Sequence, residues 1–288
     1  MTVENPMSKV WLITGASRGL GRALANAVLA GGHKLVATAR KPSQLAGLVE
    51  RHGDRVRTVP LDVADERAAG PAIKAAIEAF ERLDVLVNNA GYGNVAPIED
   101  TSIADFRAQI ETNLFGVINV TKAAVPVMRR QRSGHIIQLS SIGGRIGSIG
   151  RAPYSAAKWG VEGFSEVLAQ EAAPFGVTVT IIEPGAFRTD WAGSSMKTAQ
   201  HLHPDYQPTV GAVIEHLRDS SGQQQGDPAR AAQIILDIAG AAEPPLRLLL
   251  GKSALRQARD ISSRRSAEDE KWAAVTESAD FDHTSSNQ

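Results

Sequence analysis

Tyr154 and Lys158 stand four residues apart in the run Pro-Tyr-Ser-Ala-Ala-Lys. On a helix that spacing puts a phenol and an ammonium group on one face. A free tyrosine loses its proton near about pH 10, too high for use at neutral pH. A neighbouring positive charge stabilises the phenolate and lowers that value. The pair is therefore predicted to act as a general acid or base near neutrality. A surface helix carrying an aromatic ring and a solvated lysine would show the same spacing, so the rest of the chain decides between the two.

Val10-Trp11-Leu12-Ile13 is a short apolar run that reads as a buried strand. It leads into Thr14-Gly15-Ala16-Ser17-Arg18-Gly19-Leu20-Gly21 and then an Ala/Leu-rich helical pattern from Arg22 to Ala30. Strand, glycine turn and helix together suit a phosphate group, because the free N–H groups of a helix start face it. Gly15 permits the tight turn, Gly19 the approach of backbone to a pyrophosphate, and Gly21 close packing of helix on strand. The second strand, Lys34 to Ala39, ends without the acidic residue that binds a ribose 2′-hydroxyl. Arg40 follows it, and Arg18 lies in the glycine loop. Guanidinium groups fork onto phosphate oxygens, which predicts NADP over NAD by about ten- to a hundred-fold or more.

Composition removes several other function classes. The 288 residues are 43% hydrophobic, enough for one large core, and 31 basic side chains balance 31 acidic ones. No basic footprint points to nucleic acid, and no apolar run reaches the ~20 residues needed to span a membrane. Met1 to Pro6 lack the charged-then-apolar pattern of a signal peptide. With no cysteine, disulfides and thiolate chemistry are excluded, and no metal-ligand spacing occurs; His201 and His203 read as solvated loop residues. A cytoplasmic protein is expected.

Six further apolar runs follow the first strand: Lys34–Ala39, Val56–Leu61, Leu83–Val87, His135–Leu139, Val177–Ile182 and Leu246–Leu250. Helical stretches separate them, notably Asp65–Arg82 and Ser102–Arg132. Ser102 three before Asp105 is a capping-box-like start, and Asp227-Pro228 is an N-cap followed by proline at the first helical position. The alternation predicts an α/β fold: a single-domain, doubly wound, Rossmann-type parallel sheet of seven strands. Ligands on such sheets bind beyond the carboxyl ends of the strands, which brings Gly15, Asn88, Ser141 and Pro184 to one edge. The domain is expected over residues 1–262, with the polar residues from about Ser263 to Gln288 as a frayed tail.

This ordered set of motifs resembles the short-chain dehydrogenase/reductase family, in its single-domain branch, over about residues 9–250. The motifs are Thr14–Gly21, Leu61-Asp62-Val63, Asn88-Asn89-Ala90-Gly91, Asn113, Ser140-Ser141, Tyr154–Lys158 and Pro184-Gly185 with Thr189. The resemblance implies that Asp62 and Val63 lie beside the adenine, while Asn89, Ala90 and Gly91 shape the cofactor floor. It places Ser17 and Leu20 with Gly15, Arg18 and Gly19 against the dinucleotide, and Pro184, Gly185 and Thr189 at the nicotinamide. It implies four reaction-site residues. Tyr154 exchanges the proton; Lys158 holds the ribose hydroxyls and depresses the Tyr154 pKa; Ser141 stabilises the substrate oxygen; Asn113 holds a water relay. The family's spacing before the tyrosine selects Ser141 over Ser140.

By the same resemblance, residues from about Trp191 to Gln225 form a substrate lid. Its Trp191, Met196, Tyr206 and Val210 favour an uncharged, medium-sized ketone or aldehyde. A homodimer or homotetramer is expected, assembled through helices matching about 102–132 and 153–173. The competing readings are a cofactor-sensing regulator or scaffold without turnover, and an epimerase or dehydratase, which usually carry a different glycine loop.

Overall fold

A computed structural model describes residues 8–189, 196–199 and 201–281. Along the chain the elements are β1 (Val10–Ile13), α1 (Gly19–Ala30), β2 (Lys34–Ala39), α2 (Ala46–His52), β3 (Val56–Pro60) and α3 (Glu66–Phe80). Next come β4 (Val85–Asn88), β5 (Asn94–Val95), α4 (Ile103–Ile110), α5 (Gly116–Gln131), β6 (Gly134–Leu139) and α6 (Ala152–Ala172). The last are β7 (Val177–Pro184), β8 (Lys197–Thr198), α7 (Ala212–Asp219), α8 (Pro228–Gly240), β9 (Arg247–Leu250) and α9 (Lys252–Glu277). Seven strands form one parallel sheet in the order β3-β2-β1-β4-β6-β7-β9. The order turns back between β1 and β4, so the crevice beyond their carboxyl ends is the natural ligand position.

Period-2 alternation divides the core between the two sheet faces. Trp11 and Ile13 of β1 pack with Leu24 and Val28 of α1 and Ile235 of α8. Val10 and Leu12 face the other way, onto Ile73 of α3, Val120 of α5 and Leu168 of α6. Each such fully buried aliphatic side chain contributes roughly 1.5–3 kcal/mol. Three helix starts are closed by side chains: Asp65 accepts from Arg67 N, Ser102 from Asp105 N, and Asp227 from Ala229 N. Arg18, at the start of α1, makes no side-chain cap, so the first turn of that helix keeps its amide donors for another partner.

Two expectations need correction. The stretch 102–132 is not one α-helix: a π-helical segment, Glu111–Phe115, interrupts it between α4 and α5. One residue is gained in that turn, which hydrophobic periodicity does not register. The polar C-terminal residues also do not fray from Ser263, because α9 continues to Glu277. Its Ala, Arg, Glu and Lys are strong helix formers even where little is buried. The residues Met1 to Pro6 and Trp191 lie outside the described residues.

Candidate active site

The glycine loop is held closed from outside. Asn89 Nδ2 donates to Thr14 O at 2.9 Å and to Gly15 O at 3.1 Å, while Thr14 Oγ1 accepts from the amides of Asn89 and Ala90. Gly15 and Gly19 have φ of +66° and +56°, a conformation that favours glycine. A Cβ at Gly15 would stand 3.0 Å from Ala90 Cα, and one at Gly21 would meet Asn89 Nδ2 and Gly15 O. Leu20 packs on the core from the start of α1, and Ser17 O accepts from Arg22. Thr189 sits across the loop, its Cβ 3.6 Å from where a Gly19 Cβ would be. Arg18 and Arg40 are both exposed at the rim. Backbone without side chains, uncapped helix amides and two guanidinium groups together fit a phosphorylated dinucleotide.

The neighbouring turns extend this cradle. Asp62 is exposed and accepts from Ala64 N, whereas Val63 is buried against Gly116. Asn88, last in β4, is scaffolding: its amide donates to Thr121 Oγ1 and Gln138 Oε1, each at 2.9 Å. Gly91 lies between Asn113 and Lys158, so a Cβ there would stand 2.6 Å from Asn113 Oδ1 and 3.9 Å from Lys158 Nζ. On the far strand, Gly185 N donates to Leu250 O, fixing the exit of β7 beside Pro184.

Ser141, Tyr154 and Lys158 come together at the carboxyl end of β6. Ser141 Oγ accepts from Gly143 N at 3.0 Å, and the Tyr154 ring lies beside it against Gly143. Ser140 instead turns its Oγ toward Gly144 and Glu162, away from the phenol. Lys158 Nζ donates to Leu139 O at 2.6 Å and lies 5.8 Å from the centre of the Tyr154 ring.

The electrostatics differ from the simple expectation that Lys158 lowers Tyr154. Burial dominates both groups, because each loses water around its charged form. Tyr154 is raised above its ordinary value by burial, against the pull of the Ser141 hydroxyl and the Arg151 guanidinium. Lys158 is lowered by burial to about 8, with Glu162 opposing. Arg151, three residues before the phenol at the start of α6, is a cation that pulls its pKa down. That i, i+3 relation was legible in the sequence and was missed.

Asn113 is buried in the π-helical turn and is held by Tyr92. Its Oδ1 accepts from Tyr92 N at 3.0 Å and its Nδ2 donates to Tyr92 O at 2.9 Å, so the amide side chain is occupied.

Behind the reaction site lies an ion cluster that composition alone does not reveal. Arg145 Nε meets Glu183 Oε1 at 2.5 Å, and Arg247 reaches Glu162 at 2.9 Å and Glu166 at 2.5 Å. Burial pushes the Glu183 carboxyl up, while its Arg145 hydrogen bond pulls it down. The cluster ties α6, β7 and β9 to the turn that carries Ser141.

The region expected to act as a lid forms its own small layer, in which β8 pairs in parallel with β5. Val210 is buried near Gly150, Tyr206 is half-buried, Met196 is partly buried, and His201 and His203 are exposed. Among the described residues no cluster of His, Cys, Asp or Glu is arranged to hold a metal, and no helix is long and apolar enough to cross a membrane.

A family model described as short chain dehydrogenase matches residues 9–200. The chain belongs to the short-chain dehydrogenase family. Among its relatives, the oxidoreductase BOA17 of Botryotinia fuckeliana (strain B05.10) is 53% identical over 271 residues, covering 94% of this chain and 98% of its own length. A short-chain dehydrogenase from Streptomyces avermitilis superimposes with a TM-score of 0.89 at 38% identity, over 95% of this chain and all of that one. A short-chain dehydrogenase/reductase from Burkholderia phymatum, solved with NAD, gives 0.77 at 26% identity over 89% and 95% of the two chains. Membership makes this short-chain dehydrogenase an oxidoreductase, with its seven-stranded Rossmann-type sheet as the scaffold.

Proposed function

We propose that this short-chain dehydrogenase is an NADP(H)-dependent reductase of an uncharged, medium-sized ketone or aldehyde. The observation that carries the reading is Ser141 and the Tyr154 ring meeting at Gly143 beside buried Lys158, at the sheet edge that also holds the glycine loop. Gly15, Ser17, Gly19 and Leu20 would receive the pyrophosphate, and Arg18 and Arg40 a 2′-phosphate. Asp62, Val63, Asn89, Ala90 and Gly91 would line the adenosine side, and Pro184, Gly185 and Thr189 the nicotinamide side. When bound, NADPH supplies the hydride for the carbonyl carbon.

Tyr154 gives its phenol proton to the carbonyl oxygen, on which negative charge develops. Ser141 supplies a second hydrogen bond to that oxygen. With its pKa at about 8, Lys158 remains mainly protonated at pH 7, and its charge offsets the phenolate that Tyr154 becomes. Arg151 adds to the same field. An ammonium has three donors; Lys158 commits one to Leu139 O, which leaves two for ribose hydroxyls. Met196, Tyr206 and Val210 of the expected lid favour an uncharged ligand. Exposed Ile103, Phe115 and Val167 support assembly into a homodimer or homotetramer through α4, the π turn, α5 and α6.

The test is a panel of carbonyl substrates offered with NADPH and NADH side by side, followed as loss of reduced cofactor. NADPH should win by about ten- to a hundred-fold or more, and Arg40→Asp should move the preference toward NADH. Unchanged selectivity in that variant counts against the 2′-phosphate assignment. Cofactor binding with no oxidation on any substrate would favour the non-catalytic alternative.

A further inference from the structure

Between Ser141 and α6 the chain runs Ile142-Gly143-Gly144-Arg145-Ile146-Gly147-Ser148-Ile149-Gly150-Arg151, with four glycines. Glycine gives a backbone more freedom than any other residue, so this segment needs outside support to keep one shape. It must keep one, because Ser141 stands at one end of it and Tyr154 follows the other. Its one regular piece is the short 3-10 turn Ile142–Gly144. A Cβ at Gly143 would stand 3.3 Å from Tyr154 Cε1 and 3.4 Å from Ser141 Oγ. Small movements of the turn therefore change how those two groups meet.

Two long-range contacts converge on Arg145, the residue that closes the turn. Its Nε meets Glu183 of β7. Its main-chain oxygen accepts from Arg265 Nη2 of α9 at 2.7 Å. The same Arg265 guanidinium lies 4.8 Å from the centre of the Trp159 ring, a cation–π contact. Trp159 follows Lys158 directly on α6. One side chain, 120 residues from Arg145 in sequence, thus touches both the Ser141 segment and the helix that carries Tyr154 and Lys158. The seating of α9 makes this reach possible. Ala254 Cβ lies 3.3 Å from where a Gly185 Cβ would be, Ala254 and Ala258 are buried, and roughly 16 Å of helix leads from Ala254 to Arg265.

We propose that Arg265 is a positioning residue, which pins the Ser141 segment against α6 and so fixes Ser141 relative to Tyr154 and Lys158. It acts through Arg145 and Trp159. A planar guanidinium suits the task, because its edge donates to the carbonyl while its face lies over the indole. The inference rests on the reading of Ser141, Tyr154 and Lys158 as the reaction site.

Arg265→Ala in the full chain tests it, with Arg264→Ala as a control that removes the neighbouring exposed cation of α9. The amides of residues 143–146 are bonded within the turn. Their hydrogen exchange, read by mass spectrometry, should quicken at least about three-fold in Arg265→Ala and stay unchanged in the control. On the ketone or aldehyde that the carbonyl panel identifies, kcat should fall by about three- to ten-fold, the range of one hydrogen bond. KM and the NADPH dissociation constant should each move by less than about two-fold. In a Ser141→Ala background the same substitution should lower kcat by less than about two-fold, because the group it positions is gone. Unchanged exchange, undiminished turnover, or an equal loss with and without Ser141 would overturn the proposal. If no member of the panel is reduced, exchange alone decides it. Full turnover in Tyr154→Phe refutes the reaction site itself; an inactive Tyr154→Phe beside a fully active Arg265→Ala refutes only the role of Arg265.

Discussion

Asn89 decides how rigid the glycine loop is, because its one amide group satisfies two carbonyls of a backbone that carries almost no side chains. Asn89→Ala leaves Thr14 O and Gly15 O without that donor and should cost about 1–3 kcal/mol in urea unfolding. Affinity for the reduced dinucleotide should fall by about ten-fold as the loop loosens, an estimate from the same hydrogen-bond range. Normal affinity in a destabilised Asn89→Ala protein would separate loop shape from binding. At this scale the sequence was most informative about residues whose neighbours are local. Tyr154 and Lys158 lie on one helix and Thr14 to Gly21 in one turn, so spacing alone groups them. The roles of Asn113 and Arg151 depend on long-range contacts and on burial. Tyr92 takes both ends of the Asn113 amide, and desolvation, not Lys158, sets the direction of Tyr154.

The π turn at Glu111–Phe115 is what aims Asn113 inward, and it is followed by Gly116, where a Cβ would stand 2.6 Å from Val63 Cγ2. Gly116→Ala should overpack this contact and lower stability by about 1–3 kcal/mol. Because Val63 lies in the expected adenine turn, cofactor affinity should drop with it; loss of stability with affinity intact would place the turn outside the binding site. Helices and strands were legible because their amphipathic periods are strong, and the caps at Ser102 and Asp227 were read from residue type. A single extra residue within a continuing helix leaves no trace in such a pattern. The C-terminal helix leaves no hydrophobic period because it buries little; helix propensity carries it, with Ala267, Glu268, Glu270, Lys271, Ala273 and Ala274 all good helix formers.

Across the whole molecule, acid sensitivity is expected to come largely from His135. It lies buried on β6 with Nε2 2.9 Å from Thr180 Oγ1, and that hydroxyl donates its own proton to Pro245 O. Thr180 must then accept from His135, so Nε2 carries a hydrogen. Burial lowers its pKa from 6.5 to about 4. Between those values the unfolded chain binds a proton that the folded chain refuses, so stability falls as pH falls. The full loss is roughly 3 kcal/mol. Urea unfolding at pH 7 and pH 4.5 should show it, and His135→Gln should remove that part of the difference. An identical pH dependence in the variant would assign acid sensitivity elsewhere. Fold class followed from the alternation of elements. The ion cluster of Arg145, Glu183, Arg247 and Glu162 did not, because its members are scattered over four segments that meet only in the folded sheet.

The central claim is that the Tyr154 hydroxyl exchanges the proton, and one paired measurement on Tyr154→Phe addresses it most directly. Turnover of a carbonyl substrate and NADPH affinity by fluorescence are read on the same preparation. Turnover should fall by roughly 10²–10⁴-fold while the dissociation constant moves by less than about two-fold. Reduction at an undiminished rate in the phenylalanine variant would contradict the account.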